Sequence, residues 1–249
     1  MTVSSPHRVA PRPLAERFDY SGTELGAMEC ARNYHRWIAE MFSPYLGARV
    51  IEVGAGVGTF AEYLLGQPGV LELLAMEPAA NLFPALQQRL AGHERARAIQ
   101  GYLGCETLPP ADSVVLVNVL EHVRDDVALL RTAKAHLRAG GHLLLFVPAL
   151  PWLHGSLDRA SEHFRRYRKG QLRERLTSAG FHVKTLHYVN LPGVASWFLA
   201  GKVLRRKTLG SSSVLFYDRC VVPAVRRIEE RWNPLLGQSL IAVASAEIG

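Results

Sequence analysis

Residues 50–60 read VIEVGAGVGTF. A short β-branched run closes on Gly54, Gly56 and Gly58, and FAEYLLGQ (60–67) then carries a helical pattern that stops at Gly66. Strand, glycine turn and helix follow one another without a linker. The alternation continues outward. VLELLAMEP (70–78) is a second strand ending in an acid, and NLFPALQQRLAGH is a helix capped by Asn81 and stopped by Gly92. A third strand lies near 97–103. SVVLVNVLEHV (113–123) starts as a strand and turns helical around Leu120; DDVALLRTAKAHLRAGG completes that helix at its tandem glycines. HLLLFVP (142–148) is a further central strand, and FHVKTLHYVN and QSLIAVASAE (238–247) are two more. Strands alternating with helices in this way specify βαβ units and a mostly parallel sheet, an α/β fold.

The remaining segments set the organisation. Residues 1–22 are rich in proline and charge and read as a flexible arm without a secretory signal. Residues 23–249 form one domain, opened by a single helix over 23–46 with Met28, Ala31, Tyr34 and Ile38 on one face. Residues 151–237 interrupt the alternation: a polar-aromatic connection, a short helix at QLRERLTSAGF, and an irregular helical insertion over 191–237.

Composition limits the classes. The chain has 249 residues, 48% of them apolar, with a formal charge of +7 carried mainly by arginine. That charge favours anionic partners without naming one. Cys30, Cys105 and Cys220 are odd in number and far apart, with no metal-ligand spacing, so a reducing compartment and no metal are expected. The longest uncharged runs, LLLFVPALPWL and LPGVASWFLAG, are too short to cross a bilayer, and a cytoplasmic location is expected.

A Gly-x-Gly-x-Gly turn alone is a weak signal. Glu77, nineteen residues past Gly58 and at the end of the next strand, can accept hydrogen bonds from both hydroxyls of an adenosine ribose. The pair argues for an adenosine cofactor, which NAD and S-adenosylmethionine (SAM) both are. Glu52 separates them. A carboxylate two residues before the first glycine opposes a pyrophosphate and suits a cationic, amino-bearing ligand. The Gly-x-Gly-x-x-Gly spacing of dinucleotide binders is also missing, since Phe60 and Ala61 stand near its third position.

With these residues in place, the sequence resembles the class I SAM-dependent methyltransferases. VIEVGAGVGTF and LLAMEP are similar to the family's first two motifs, ADSVVLVNVLEHVRDD to its fourth-strand motif and LRAGGHLLLFVP to its fifth strand. The resemblance runs from about residue 48 to 150. It implies a Rossmann-like sheet of seven strands, the last antiparallel, with SAM across the strand carboxyl ends. Carried over, Glu52, Gly54, Ala55, Gly56 and Gly58 surround the methionine moiety and Glu77 with Pro78 the ribose. Gly101, Tyr102 and Leu103 meet the adenine, where the family's usual acid is missing. Asn118, Val119 and Leu120 line the methionine end.

LHGSLDRASEHFRRY resembles the family's segment over the substrate pocket, which implies roles for His154, Asp158, His163, Arg165, Arg166 and Tyr167; Glu162 stands where the family pattern has glycine. Candidate bases are His122, His154 and His163, with Tyr167 beside them, and Asp158, Arg165 and Arg166 as substrate contacts. His163, Arg166 and Tyr167 are spaced to share a helical face. His122 is either a base or a packing residue at a helix start. ARNYHRWIAEMF looks like the family's lid helix, giving Asn33 to the substrate and Tyr34 and Trp37 either to the sulfonium or to the core. In the insertion, SWFLAGKVLRRK and VLFYDRCVVPAVRRIEERW alternate apolar and basic residues. They suit a packed cover, a dimer contact, or a peripheral-membrane contact through 191–232.

The expected activity is methyl transfer from SAM to an oxygen, nitrogen or carboxylate of a small, lipid-linked or peptide acceptor, anionic acceptors included. An alternative keeps SAM but breaks another carbon–sulfur bond, releasing methylthioadenosine. An NAD-dependent oxidoreductase is disfavoured by Glu52 and the glycine spacing. A nucleic-acid acceptor is disfavoured because NVLE stands where base-modifying relatives carry a proline-aromatic tetrapeptide.

Overall fold

The structure, a computed structural model, describes residues 18–22 and 24–246. Seven strands form one sheet: β1 (Arg49–Val53), β2 (Glu72–Glu77), β3 (Ala96–Gln100), β4 (Ala111–Val117), β5 (Leu137–Pro148), β6 (His182–Val189) and β7 (Ser239–Ser245). Their order is β3-β2-β1-β4-β5-β7-β6, and β7 runs antiparallel to both neighbours while the other pairings are parallel. This is the seven-stranded, mostly parallel architecture expected from the sequence. The strand order reverses between β1 and β4, so the turns after these two strands open the crevice in which such sheets bind ligands.

Helices cover both faces because the strands are apolar on both. On one face Val50, Leu73, Val115, Leu144, Phe146 and Ile241 pack under α2 (Arg32–Phe42), α3 (Thr59–Leu65) and α4 (Phe83–Leu90). On the other, Ile51, Leu74, Val114, Leu145 and Ala242 pack under α5 (Asp126–Ala135) and, past the short α6 (Ser156–Ala160), under α7 (Lys169–Ser178). The insertion is helical as expected: α8 (Leu191–Phe198), α9 (Ser211–Phe216) and α10 (Val222–Glu229), joined by π-helical turns at Leu199–Val203 and Tyr217–Val221. Leu199, Val203, Leu204, Phe216, Ile228 and Trp232 of this insertion stand exposed. Among the described residues no helix is long and apolar enough to cross a membrane.

Four local readings differ from the structure. The helix expected over 23–46 breaks at Glu29–Cys30, and a short α1 (Glu24–Met28) precedes α2. The periodicity continued through the break because Ala27 and Ala31 are both buried. Residues 120–122 form a single 3-10 turn, and α5 starts afresh at Asp126, capped by the Asp125 side chain. The tandem glycines end no helix: Gly140 (φ +74°) and Gly141 sit in the irregular start of β5, where a Cβ on Gly141 would lie 3.0 Å from the Asp112 carbonyl. Asn81 does not cap α4; its side chain exchanges two hydrogen bonds with the backbone of Tyr20. Of the expected N-terminal arm, residues 1–17 lie outside the described residues.

Candidate active site

The turn after β1 is built by backbone bonds that reach β2. Ala55 N–H donates to the Met76 carbonyl at 2.9 Å, and Gly56 N–H donates to Glu77 Oε2 at 2.7 Å. Gly54 (φ +69°) lets this turn touch the turn after β4, since a Cβ there would lie 2.7 Å from Val119 Cγ2. Gly56 (φ +58°) is different: a Cβ would meet only the Leu25 side chain of α1, at 3.8 Å. The absent side chain leaves space between the turn and α1.

Glu52 and Glu77 share the sheet face of Val50 and Leu73, because strand residues two apart point the same way. Both carboxyls are buried, and Glu52 Oε2 has no hydrogen-bond partner. Burial, with the Glu77 charge beside it, pushes Glu52 up to about 8. Burial also raises Glu77, against the pull of the Ala79 and Gly56 N–H groups that donate to it. Pro78 is half-buried at the strand end. Gly101 N–H donates to the Glu77 carbonyl at 3.1 Å, which brings the turn after β3 alongside; Tyr102 stands exposed there, whereas Leu103 points into the core.

Asn118 ends β4 in the left-handed region (φ +52°), exposed, with its N–H on the Phe146 carbonyl. Val119 packs on Gly54 and Leu120 is fully buried. Tyr34 lies edge-on to Phe146 at 5.8 Å, while Trp37 is buried among the residues between α2 and the sheet. Asn33 and the N–H of Tyr34 hold Asp218 of the insertion, so Asn33 is spent on joining α2 to that segment.

The connection after β5 corrects the helical-face expectation. Residues 161–168 are not helical, yet His163 and Arg166 meet on one carboxylate. Asp158 Oδ1 accepts from His163 Nδ1 at 3.0 Å and Arg166 Nε at 2.6 Å; Oδ2 accepts from Gly155 N–H and the Trp197 indole. Burial alone would raise Asp158, but the His163 hydrogen bond and the Arg166 charge hold it well below the usual carboxylate range. Arg166, 2% exposed, also donates to the Ala149 carbonyl and lies over the Trp197 ring at 4.7 Å. Asp158 and Arg166 therefore form a buried joint between β5, the connection and α8, with their bonding capacity used inside the protein. Tyr167 is fully buried, donating to Asp126 and the Leu120 carbonyl, and burial raises its phenol far above the ordinary value. Arg165 pairs with Asp126 at 2.9 Å and reaches the Arg124 carbonyl. These four residues hold the segment in shape.

What remains open is a cluster. Glu121 and His122, in the turn after β4, meet His163: the two imidazoles are edge-to-face at 4.8 Å, and His163 Nε2 is 3.9 Å from Glu121 Oε1. Glu121 is 0% exposed and neither carboxyl oxygen has a partner. Burial raises it to about 7 despite the nearby His163, and burial lowers His122 to about 3. His154 Nε2 contacts the His163 carbonyl at 3.1 Å. A strap crosses above. Phe18 O accepts from Ala80 N–H, the Tyr20 ring lies 5.8 Å from His122, and Tyr20 Oη and Ser21 Oγ bond Ser161 and Glu162. Glu162 keeps the turn that glycine makes in the family pattern by adopting φ +58° itself.

Sequence reading passed over Glu121, Asp218, Trp197 and Tyr20. Glu121 stood in the quoted LEHV run, and its place beside His122 was the signal that could have found it. The other three act through contacts far apart in sequence.

Residues 26–186 match the family described as a methyltransferase domain. The chain belongs to that family, within the class I SAM-dependent methyltransferases, and SAM is its cofactor. A ubiquinone biosynthesis O-methyltransferase of Xylella fastidiosa is 30% identical over 105 residues, 41% of this chain and 42% of that protein. The chain thus spans about two fifths of the length of the curated relatives it matches. A putative methyltransferase of Bacillus halodurans shares the fold at TM-score 0.58 and 16% identity, over 85% of this chain and 99% of that one. So does phosphoethanolamine N-methyltransferase 2 of Haemonchus contortus in complex with SAM, at TM-score 0.58 and 16% identity, over 87% and 53%. The residues after β1 fit the cofactor: a buried carboxyl oxygen without a partner suits a cationic ligand, and Gly56 leaves the space beside it.

Proposed function

We propose that this methyltransferase acts on a hydroxyl oxygen of a small acceptor seated between the turn after β4 and the 154–163 segment. The observation that carries the reading is the convergence of Glu121, His122 and His163, with donor atoms within 4.8 Å of one another, at the turn whose Val119 packs on Gly54. The curated relatives bear the name of O-methyltransferases.

SAM supplies an electrophilic methyl on a sulfonium. Glu77 would accept from the ribose hydroxyls, Glu52 would face the positively charged methionine end, and the glycine turn would let the ligand approach the backbone closely. Gly101 and Tyr102 would flank the adenine. In-line displacement needs the acceptor oxygen aligned and water kept out; Leu120, Tyr34 and the strap at 18–22 close the walls. An oxygen nucleophile must also lose its proton. Asp158 holds His163 at the edge of that region, and the 151–237 segments with α1 would cover the acceptor.

The test is incubation of the protein with methyl-labelled SAM and a panel of small hydroxylated and amine acceptors, read by mass analysis. Labelled methyl ether with S-adenosylhomocysteine is expected. Transfer to nitrogen alone, or methylthioadenosine in place of S-adenosylhomocysteine, would contradict the reading.

A further inference from the structure

We propose that Glu121, His122 and His163 form a binding site for one divalent first-row transition-metal cation. Each offers one donor atom, and the three atoms lie within 4.8 Å of one another. Donors around such an ion stand about 3–3.5 Å apart, given metal–ligand distances near 2.0–2.2 Å. Side-chain rotations of about 1 Å close the set.

Two independent features point to an ion. Glu121 is completely buried with both carboxyl oxygens unpartnered. A buried carboxylate without hydrogen bonds, its nearest basic group a histidine nitrogen 3.9 Å away, is costly, and a cation removes that cost. The second feature is the orientation of His163. Its Nδ1 meets Asp158 Oδ1 at 3.0 Å, so that nitrogen is engaged by the carboxylate and Nε2 is turned toward Glu121. A carboxylate behind a histidine in this way fixes the tautomer and strengthens the ligand. Asp158 is itself immobilised by Arg166, Gly155 N–H and Trp197, which gives the ligand set a rigid backing.

Two imidazoles and one carboxylate suit zinc, manganese or ferrous iron better than magnesium, which prefers an all-oxygen shell. Three protein ligands leave positions for an exchangeable group. The Tyr20 ring borders the site on the side of the strap. If the acceptor hydroxyl takes an open position, the cation lowers its pKa. The proton leaves to water, the oxygen lone pair forms the bond to the methyl carbon, and the carbon–sulfur pair returns to sulfur. That last link rests on the acceptor site proposed above, whereas ion binding does not. No ligand spacing stands out along the chain because the ligands come from the turn after β4 and from the connection after β5.

The test uses the full chain stripped with a chelator, titrated calorimetrically with Zn²⁺ and Mn²⁺ in the absence of SAM and acceptor, with Mg²⁺ for comparison. One ion per chain is expected, with cobalt substitution giving the visible bands of a nitrogen-ligated ion. Glu121→Gln and His122→Asn should each weaken binding by at least about tenfold, the scale seen when even an outer partner of a metal ligand is lost. Circular dichroism checks the fold of both variants; His122 is less buried than Glu121, and a folded variant at either position keeps the test decisive. Substoichiometric binding by the wild-type chain, or unchanged binding in a folded variant, would overturn the proposal. SAM titration of the same samples reports on the glycine turn separately.

Discussion

Glu52 has an unpartnered oxygen in the core edge and a carboxyl raised to about 8 by burial and by Glu77. In the unfolded chain a glutamate titrates at about 4.3. Between these values the unfolded state releases a proton that the folded state keeps. The associated stability is therefore complete below about pH 4.3 and is lost as pH rises through 8, by up to about 1.4 kcal/mol per unit. Glu52→Gln should flatten that fall in urea melts taken from pH 5 to 8. A cationic ligand reverses the local preference and favours the carboxylate. SAM binding at pH 7 should release close to one proton, seen as a dependence of calorimetric heat on the buffer's ionisation enthalpy. Glu52→Gln should bind more weakly and release none; buffer-independent heats for the wild-type chain would contradict the assignment. Glu52 and Glu77 stood out in the sequence because an acid inside an apolar strand, or at its end, breaks the pattern, and both are buried in the structure. Asp158 and Arg166 were read as substrate contacts, since nothing local reveals that a charged pair is buried under Trp197 from a distant helix.

Among the elements, α2 depends on a carboxylate that its own sequence does not contain. Ala31 offers no capping side chain, and Asp218 from the π-helical turn accepts from the Asn33 and Tyr34 N–H groups instead. This places the acid at the positive end of the helix and locks the insertion onto it. Asp218→Ala should cost about 1–3 kcal/mol, the range for losing a helix cap with a charged hydrogen bond. Denaturant unfolding measures it; a loss below about 0.5 kcal/mol, typical of plain surface changes, would show that the contact carries little. Strands and the main helices were readable from periodicity and glycine stops. The break before α2 and the early start of β5 were not. The first lies between two buried alanines that continue the helical pattern, and the second hides in glycines that serve a sheet irregularity.

Over the whole molecule, the reversal of strand order between β1 and β4 sets two chemistries side by side. The ends of β1 and β2 present buried carboxyls beside an open glycine in the turn after β1; the turn after β4 presents a carboxylate and an imidazole to His163. The alternation of strands and helices made this architecture legible from sequence, and the motifs named the cofactor. The acceptor end was not legible, because its groups meet only after the connection folds back across the strand ends. The most direct check on the central claim is a calorimetric SAM titration of the wild-type chain and of Gly56→Arg. The arginine side chain would occupy the space between the turn and Leu25, with the left-handed backbone adding about 1 kcal/mol of strain. One SAM per wild-type chain, and no detectable binding in a folded Gly56→Arg variant, is the predicted result. Equal SAM affinity in the two proteins would contradict it.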